Sequence, residues 1–289
     1  IARLQEQTQA KYLYYAGGCA LNIVANTQIV QSGLFEEVFI PPCCNDSGLS
    51  LGAACLLERQ KGHAIKRHTP YLNSIGLGTN SEGISDALIE ATAELLLQGK
   101  ILGVCNGTAE AGPRALGNRS LIALPNDIRQ AQHLSQVVKM REWYRPIAPI
   151  MLRAVADKVA TTPIHHLAKY MLLDYHIKAE YAQDLEGVIH ANGTARIQSL
   201  EAEEDNPFMY RLLSYLYHKH NIFGLINTSF NVQGQPIVHT ASDALEASRQ
   251  MGLDGLILNH KLVLKDELED IKSSLDNRSF VLDGQPLFG

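Results

Sequence analysis

The chain has 289 residues, a length that holds one large domain or two of ordinary size. With 46% hydrophobic and 19% charged residues its composition is globular, not disordered or collagenous. A net charge of −5, from 25 basic and 30 acidic side chains, argues against a wholesale grip on nucleic acid or anionic membrane.

In chain order, residues 12–15 form a short buried-strand candidate that stops at Gly17-Gly18, and residues 21–30 a helix. Residues 37–40 form a second strand, stopped by Pro41-Pro42, and residues 47–59 a second helix. This is a β-α-β-α unit, too short to cover both faces of an open sheet alone. Residues 61–85, rich in Gly, Asn and Ser, predict a connector. A helix over 86–98 feeds a strand at 101–105. Further strands are expected at 147–152, 170–177, 187–197, 223–226 and 256–258, with helices over 207–220 and 242–252 between them. The acidic run at 266–270 reads as a solvated face. The coarse fold class is α/β, two units joined by a linker near residues 72–86.

No apolar run approaches the ~18–20 residues that span a bilayer, so no membrane partner is expected. The sequence opens at Ile1 with neither an export leader nor an initiator Met, which predicts a cytoplasmic fragment of a longer protein. Cys19, Cys43, Cys44, Cys55 and Cys105 form no C-x-x-C pair and predict reduced structural thiols without zinc. The histidines show no H-x-x-x-H spacing; His165-His166 and His218-Lys219-His220 read as solvated helix or loop positions.

The strongest local anomaly is basic. Between Arg114 and Arg153 lie seven basic side chains, namely Arg114, Arg119, Arg129, Lys139, Arg141, Arg145 and Arg153, against only Asp127 and Glu142. The planar guanidinium fork suits bidentate binding of phosphate or carboxylate. In the segment from Glu110 to Ser120, Arg114 and Arg119 stand five apart among turn-forming residues, so backbone N–H groups and two guanidiniums converge on one anion. The alternative is a set of surface arginines in ordinary ion pairs. Asn227, Thr228, Ser229 and Asn231 follow a strand, where open α/β sheets put ligands, or else form a local turn network. Gly17, Gly18 and Asn22 form a strand-Gly-Gly-helix junction that lets backbone approach a phosphate. Asp46 precedes a helix as an N-cap or a metal ligand.

Taken together, Gly17-Gly-Cys-Ala-Leu-Asn22, Asp46-Ser-Gly-Leu-Ser-Leu-Gly-Ala-Ala54, Gly112-Pro-Arg-Ala-Leu-Gly-Asn-Arg-Ser120, Arg141-Glu-Trp-Tyr-Arg-Pro-Ile-Ala-Pro149, Gly193-Thr-Ala-Arg196 and Asn227-Thr-Ser-Phe-Asn231 resemble the NodU/CmcH family of O-carbamoyltransferases over nearly the whole chain. The resemblance implies the end of an actin-like (sugar-kinase/Hsp70 superfamily) unit at residues 1–75, followed by a YrdC-like open twisted α/β domain at 86–289. It also implies that carbamoyl phosphate and ATP, with Mg²⁺, give carbamoyl adenylate, whose carbamoyl group passes to a hydroxyl of a sugar or natural product. Iron is implied in the full-length enzyme only, with Asp46 matching its aspartate ligand and the paired histidine ligands lying upstream of Ile1. By the same resemblance Arg114, Arg119, Lys139, Arg141 and Arg145 hold carbamoyl phosphate or the ATP phosphates. Asn118, Ser120, Arg196, Asn227, Thr228, Ser229 and Asn231 bind carbamoyl and adenylate groups, and Gly17, Gly18 and Asn22 line the nucleotide site of the actin-like part.

The sequence departs from the family where His190-Ala191-Asn192-Gly193-Thr194 replaces His-x-Asp-Gly-Thr, which removes a carboxylate, and the connector is shorter than is common. Two rival functions remain: threonylcarbamoyl-adenylate synthesis for tRNA modification, and a non-catalytic nucleotide- or RNA-binding module. The acidic net charge and the single Trp143 weigh against the second, and no nucleic-acid partner is expected. The acceptor's identity and the oligomeric state, with a homodimer as one option, stay open.

Overall fold

The computed structural model describes residues 1–65, 69–73, 77, 83–140, 142, 147–268, 281–282 and 285–286. Helix α1 (Ala2–Thr8) precedes strand β1 (Tyr12–Tyr14), helix α2 (Ile23–Gln31), strand β2 (Glu37–Phe39) and helix α3 (Leu49–Gln60). The Asn22 side chain starts α2 by accepting from the Ala25 N–H. β1 and β2 pair in parallel, with Tyr12 opposite Glu37 and Tyr14 opposite Phe39. Leu13 turns toward the core, but Tyr12 and Tyr14 are 67% and 66% exposed. The strand expected to be buried is therefore covered on one face only, as its period-2 alternation dictates.

Strand β3 (Tyr71–Asn73), helix α4 (Asp86–Leu97) and strands β4 (Leu102–Cys105), β5 (Ala109–Glu110) and β6 (Arg119–Ala123) follow. Next come helix α5 (Ile128–Gln132), a π-helical turn over His133–Val138, strand β7 (Ala148–Leu152) and helix α6 (Arg153–Val159). Then come strands β8 (Tyr175–His176), β9 (Thr194–Ala195) and β10 (Gln198–Leu200), helix α7 (Pro207–His220), strand β11 (Leu225–Ser229), helix α8 (Ala241–Gln250) and strands β12 (Gly255–Leu258) and β13 (Lys261–Leu264). Seven strands form one mixed sheet in the order β10-β7-β11-β6-β4-β12-β13. β10 is parallel to β7 and β12 to β4, and the other neighbours are antiparallel. The carboxyl ends of β4, β11 and β12 therefore share one end of the sheet with the starts of β6 and β7: Cys105 faces Arg119, Ser229 faces Ser120, and Asn227 lies between Ile122 and Ala148.

Helix α4 starts at Ser85, whose hydroxyl accepts from the Leu88 N–H, and buries Leu88, Ile89, Thr92, Ala93 and Leu96. Helix α7 starts at Asn206 with Pro207 in its first turn, buries Phe208, Met209, Leu212, Leu213 and Leu216, and ends at Asn221 in the left-handed conformation. The two helices pack on each other and α7 also packs on β7; each large apolar side chain so buried contributes about 1.5–3 kcal/mol.

Several expectations need correction. The connector at 61–85 contains β3, which pairs antiparallel with β5. The strands expected at 170–177 and 187–197 shrink to the two-residue pair β8 and β9, because Met171 (φ 57) and Gly193 (φ 78) turn the chain inside those apolar runs. Strand β6 continues the segment read as a loop around Arg119 and Ser120. In the acidic run, Asp266 and Glu267 are exposed and Leu268 is buried; Glu269 and Asp270 lie outside the described residues.

The first sixty residues share the main core through Ala20, Val38, Ile40 and Cys44. Asn26, fully buried, donates from Nδ2 to the carbonyls of Ala20 (2.8 Å) and Leu172 (3.0 Å). Thr27 donates to the Asp174 carboxylate and accepts from the Asp174 N–H. No helix among the described residues is long and apolar enough to cross a membrane.

All five cysteines are free, with Cys19 exposed and Cys105 buried. Burial pushes the Cys105 thiol up to about 12, so almost none of it is thiolate at neutral pH. Brief alkylation of the native chain at pH 8 is expected to modify Cys19 and to spare Cys105, with Cys105 labelled only after denaturation. Peptide mass mapping reads the result, and equal native labelling of the two would contradict this packing.

Candidate functional site

The segment between β5 and β6 is organised by a residue that the sequence reading left without a role. Glu110, the last residue of β5, points its Oε1 at three backbone N–H groups: those of Leu116 (2.6 Å), Asn118 (2.8 Å) and Arg119 (3.2 Å). Backbone donors of this loop thus converge on the chain's own carboxyl oxygen, and the Arg119 guanidinium is not among the groups that meet it. Burial pushes the Glu110 carboxyl up, against the pull of those three donors. Gly117 makes the turn possible: its φ is +113, and a Cβ there would lie 2.8 Å from Asn206 Nδ2.

Around this nest the polar side chains interlock. Tyr71 donates its hydroxyl to the Leu116 carbonyl (2.9 Å) and Gln198 Nε2 donates to the same oxygen (2.8 Å). Asn227 Nδ2 donates to Gln198 Oε1 (2.6 Å) and to the Ala115 carbonyl (3.3 Å). Asn118 Nδ2 donates to the Thr108 carbonyl and its Oδ1 accepts from Asn206. Ser120 Oγ accepts from the Gly117 N–H. Burial and the neighbouring Glu110 push the Tyr71 phenol up, so it stays a donor. β3, β5, β10 and β11 are tied to the 115–118 loop by these bonds.

The basic residues divide into two groups. Arg119 is 1% exposed. Its Nε donates to the His239 carbonyl, one terminal nitrogen to Asn106 (2.7 Å) and Asn118 (2.8 Å), and the other to Gly107 (3.1 Å) and His239 (3.3 Å). These bonds use all five N–H groups of a guanidinium. Arg119 thus holds three stretches of backbone, in place of the phosphate it was expected to grip. Lys139, just past the π-helical turn, is 2% exposed, and its Nζ donates to the Ser229 and Asn231 carbonyls and to Asn231 Oδ1 at 2.6–2.7 Å. Ser229 Oγ donates to the same Asn231 oxygen, and Thr228 is buried beside it on β11. The local turn network is therefore real, and Lys139 is its centre.

Arg114 differs. It is half-buried, its Nε has no hydrogen-bond partner, and it forms no ion pair with a described residue. Burial lowers its pKa, and the group that opposes this is the Cys44 thiol rather than a carboxylate. Gly112, two residues earlier, lies so close to the 42–43 backbone that a Cβ would be 2.8 Å from the Pro42 carbonyl. The Gly17 N–H donates to the Cys44 carbonyl (2.7 Å). Gly17, Cys44 and Arg114 thus follow one another along the seam between the first sixty residues and the large sheet. A Cβ at Gly17 or Gly18 would meet nothing within 4 Å, so that backbone is open.

Other candidates lie apart from this set. Asn22 is the cap of α2, and its side-chain oxygen is taken. Asp46 is exposed at the start of a 3-10 turn whose N-cap is Asn45, and no metal-ligand cluster among the described residues includes it. Arg196 is half-buried just before β10, and with burial it lowers the pKa of His190. Asn192 accepts from the Thr194 N–H and hydroxyl, so the amide fills the turn-closing role a carboxylate would have. Arg141 and Arg145 lie outside the described residues. Gln198 acts on backbone distant in sequence, which local reading does not reach, whereas Glu110 acts on the loop that follows it. The one available cue was Glu110 standing at the head of the Gly112–Ser120 motif.

A family profile described as "Carbamoyltransferase C-terminus" matches residues 93–265, and one described as "Carbamoyltransferase N-terminus" matches residues 2–55. Nodulation protein NolO of Bradyrhizobium diazoefficiens is 31% identical over 88% of this chain and 49% of its own length. Nodulation protein U of Sinorhizobium fredii is 33% identical over 86% of this chain and 45% of its own. Full-length HypF, in its phosphate- and nucleotide-bound form, aligns over 61% of this chain and 25% of its own with a TM-score of 0.42 and 20% identity. The chain spans about half the length of the curated relatives it matches. By the profiles across both its parts, the chain belongs to the carbamoyltransferase family.

Proposed function

We propose that the chain is the C-terminal part of an ATP-dependent O-carbamoyltransferase and that the Arg114 end of its sheet activates carbamoyl phosphate. The observation that carries this reading is Arg114: a half-buried guanidinium with no carboxylate partner among the described residues, at the edge of a hydrogen-bonded polar network. Such a cation is stabilised by an incoming anion, and its field is stronger in a partly dry site than in water. In the proposed reaction water cleaves carbamoyl phosphate to carbamate and phosphate. A carbamate oxygen then attacks the α-phosphorus of ATP, bound as its Mg²⁺ complex, and pyrophosphate leaves. The carbamoyl group of the resulting adenylate passes to an acceptor hydroxyl, whose proton is lost as AMP departs. Arg114 neutralises phosphate charge, while Arg119, Lys139 and Glu110 fix the loops around it. The residues present do not fit the implied iron: Asp46 is exposed, and no cluster of ligating groups among the described residues includes it. No step is therefore drawn through a metal held there.

With residues 86–289 read as the YrdC-like domain, the surface of the first sixty residues supports the reading of residues 1–75 as the end of a larger unit. Parallel strands are ordinarily covered on both faces, yet Tyr14 and Phe39 stack at 5.3 Å on an exposed face. Helix α3 buries none of its residues and leaves Leu49, Leu56 and Leu57 exposed. The remaining half of a full-length carbamoyltransferase is the occupant proposed for this face, and the acceptor hydroxyl, on a sugar or natural product, belongs with that half.

The test is pyrophosphate release from the 289-residue chain given ATP, Mg²⁺ and carbamoyl phosphate. Release that depends on carbamoyl phosphate and needs no acceptor is expected. A folded chain that releases none would refute autonomous adenylation, and release with bicarbonate and threonine instead would favour threonylcarbamoyl-adenylate synthesis.

A further inference from the structure

Among the described residues, one set of metal-ligating side chains is assembled by the fold from distant parts of the sequence: Glu37, His165 and His166. Glu37 opens β2, in the part matched by the N-terminal profile. His165 and His166 stand where a 3-10 turn begins, in the part matched by the C-terminal profile. Glu37 Oε1 lies 3.4 Å from His165 Nε2 and 3.5 Å from His166 Nδ1. One ligand atom from each of the three residues lies within 4.8 Å of the other two. The imidazole rings are 4.2 Å apart between centroids.

Both spacings fall within ion-pair reach and also match those between ligands of one metal ion. A charge-assisted N–H···O bond is about 2.7–2.9 Å, and both gaps are longer. Ligands bound at about 2.0–2.1 Å in a tetrahedron are separated from one another by about 3.3–3.4 Å. The carboxylate oxygen therefore stands from each ring nitrogen at close to the edge length of a tetrahedral site.

We propose that Glu37, His165 and His166 form a three-ligand site for a divalent transition-metal ion of the zinc type, with water as fourth ligand, clasping the first sixty residues to the large α/β domain. Two imidazoles and one carboxylate favour zinc and its neighbours over magnesium and calcium, which take oxygen ligands, and the lack of thiolate disfavours copper(I). Glu37, His166 and Arg153 are the charged or titratable groups that face His165. His165 Nδ1 now accepts from the Leu167 N–H at 3.3 Å, which places its proton on Nε2. Metal binding at Nε2 moves that proton to Nδ1 and gives up this one long bond. The site adds an interdomain tie to the proposed enzyme and does not depend on the carbamoyl chemistry.

The experiment uses the whole 289-residue chain, stripped with chelator and titrated with Zn²⁺ by calorimetry and with Co²⁺ by absorption. One saturable site is expected, with tetrahedral Co²⁺ bands and no thiolate-to-metal charge transfer, and Zn²⁺ is expected to raise the thermal midpoint. Glu37→Gln and His166→Ala should each weaken binding by more than ~10-fold and abolish the Zn²⁺-dependent rise. Both side chains are partly exposed, so these variants keep the fold, as circular dichroism of the metal-free chains verifies; His165→Ala, which also removes a cap, is secondary. Absence of a saturable site, unchanged affinity in both variants, or a thiolate charge-transfer band would each overturn the proposal. Stabilisation by acid alone, with no response to metal, would reduce the cluster to an ion pair and overturn it equally.

Discussion

Arg114→Ala is expected to lower carbamoyl-phosphate-dependent pyrophosphate release by ~10²–10³-fold, the loss that follows removal of one preorganised charge-stabilising group. The variant should keep the parent's thermal midpoint within a few degrees. Arg114 makes no ion pair with a described residue, and its half-buried charge is opposed by desolvation, so the folded state loses little with it. Arg114→Lys keeps a positive charge but not the planar fork, and it is expected to recover only a small part of the rate. Steady-state kinetics in both substrates, with circular dichroism melts of each variant, make the comparison. An alanine variant as active as the parent would remove Arg114 from the phosphate site, and an alanine variant that melts far below the parent would make it a structural residue instead.

The sequence made this residue visible but did not separate it from its neighbours. Arg114 and Arg119 stand five apart in one motif and look equivalent as residue types, yet one is half-buried with an unsatisfied Nε and the other is saturated by carbonyls. The difference arises because Arg119 begins β6, where pairing with β4 aims it at the turn after Cys105 and at His239, whereas Arg114 lies in the loop against the 43–44 turn. Long helices such as α4 and α7 were legible because their apolar faces, capping Ser85 and Asn206, and Pro207 agree with one another. The apolar runs at 170–177 and 187–197 were not, since their burial comes from turns packed into the core rather than from strands. Glu37, His165 and His166 were invisible as a set: local spacing carries no information about a partner more than a hundred residues away. Gln198 and Asn227, 29 residues apart, were hidden as a pair because their mutual bond depends on both flanking β7.

Arg119→Met is expected to reduce unfolding free energy by about 3–5 kcal/mol, one of the largest single-residue effects in the chain. Methionine refills most of the buried stem, so the loss isolates the guanidinium. Without it, the carbonyls of Asn106, Gly107 and His239 lose the guanidinium donors and that of Asn118 keeps only the Asn106 N–H, and each buried acceptor left unsatisfied costs about 1–3 kcal/mol unless water enters or the loops shift. Relief of a buried cation offsets part of that sum, which is why the expected value lies below it. Arg119→Lys, with three donors instead of five, should recover part of the stability but not all. Urea unfolding at neutral pH, with the denaturant slope checked for two-state behaviour, reads the difference. A variant as stable as the parent would show that these bonds do not hold the loops. The contrast with Arg114 is what gives the pair its force: one arginine should control rate with little effect on stability, and the other should control stability and take the rate down only with the fold.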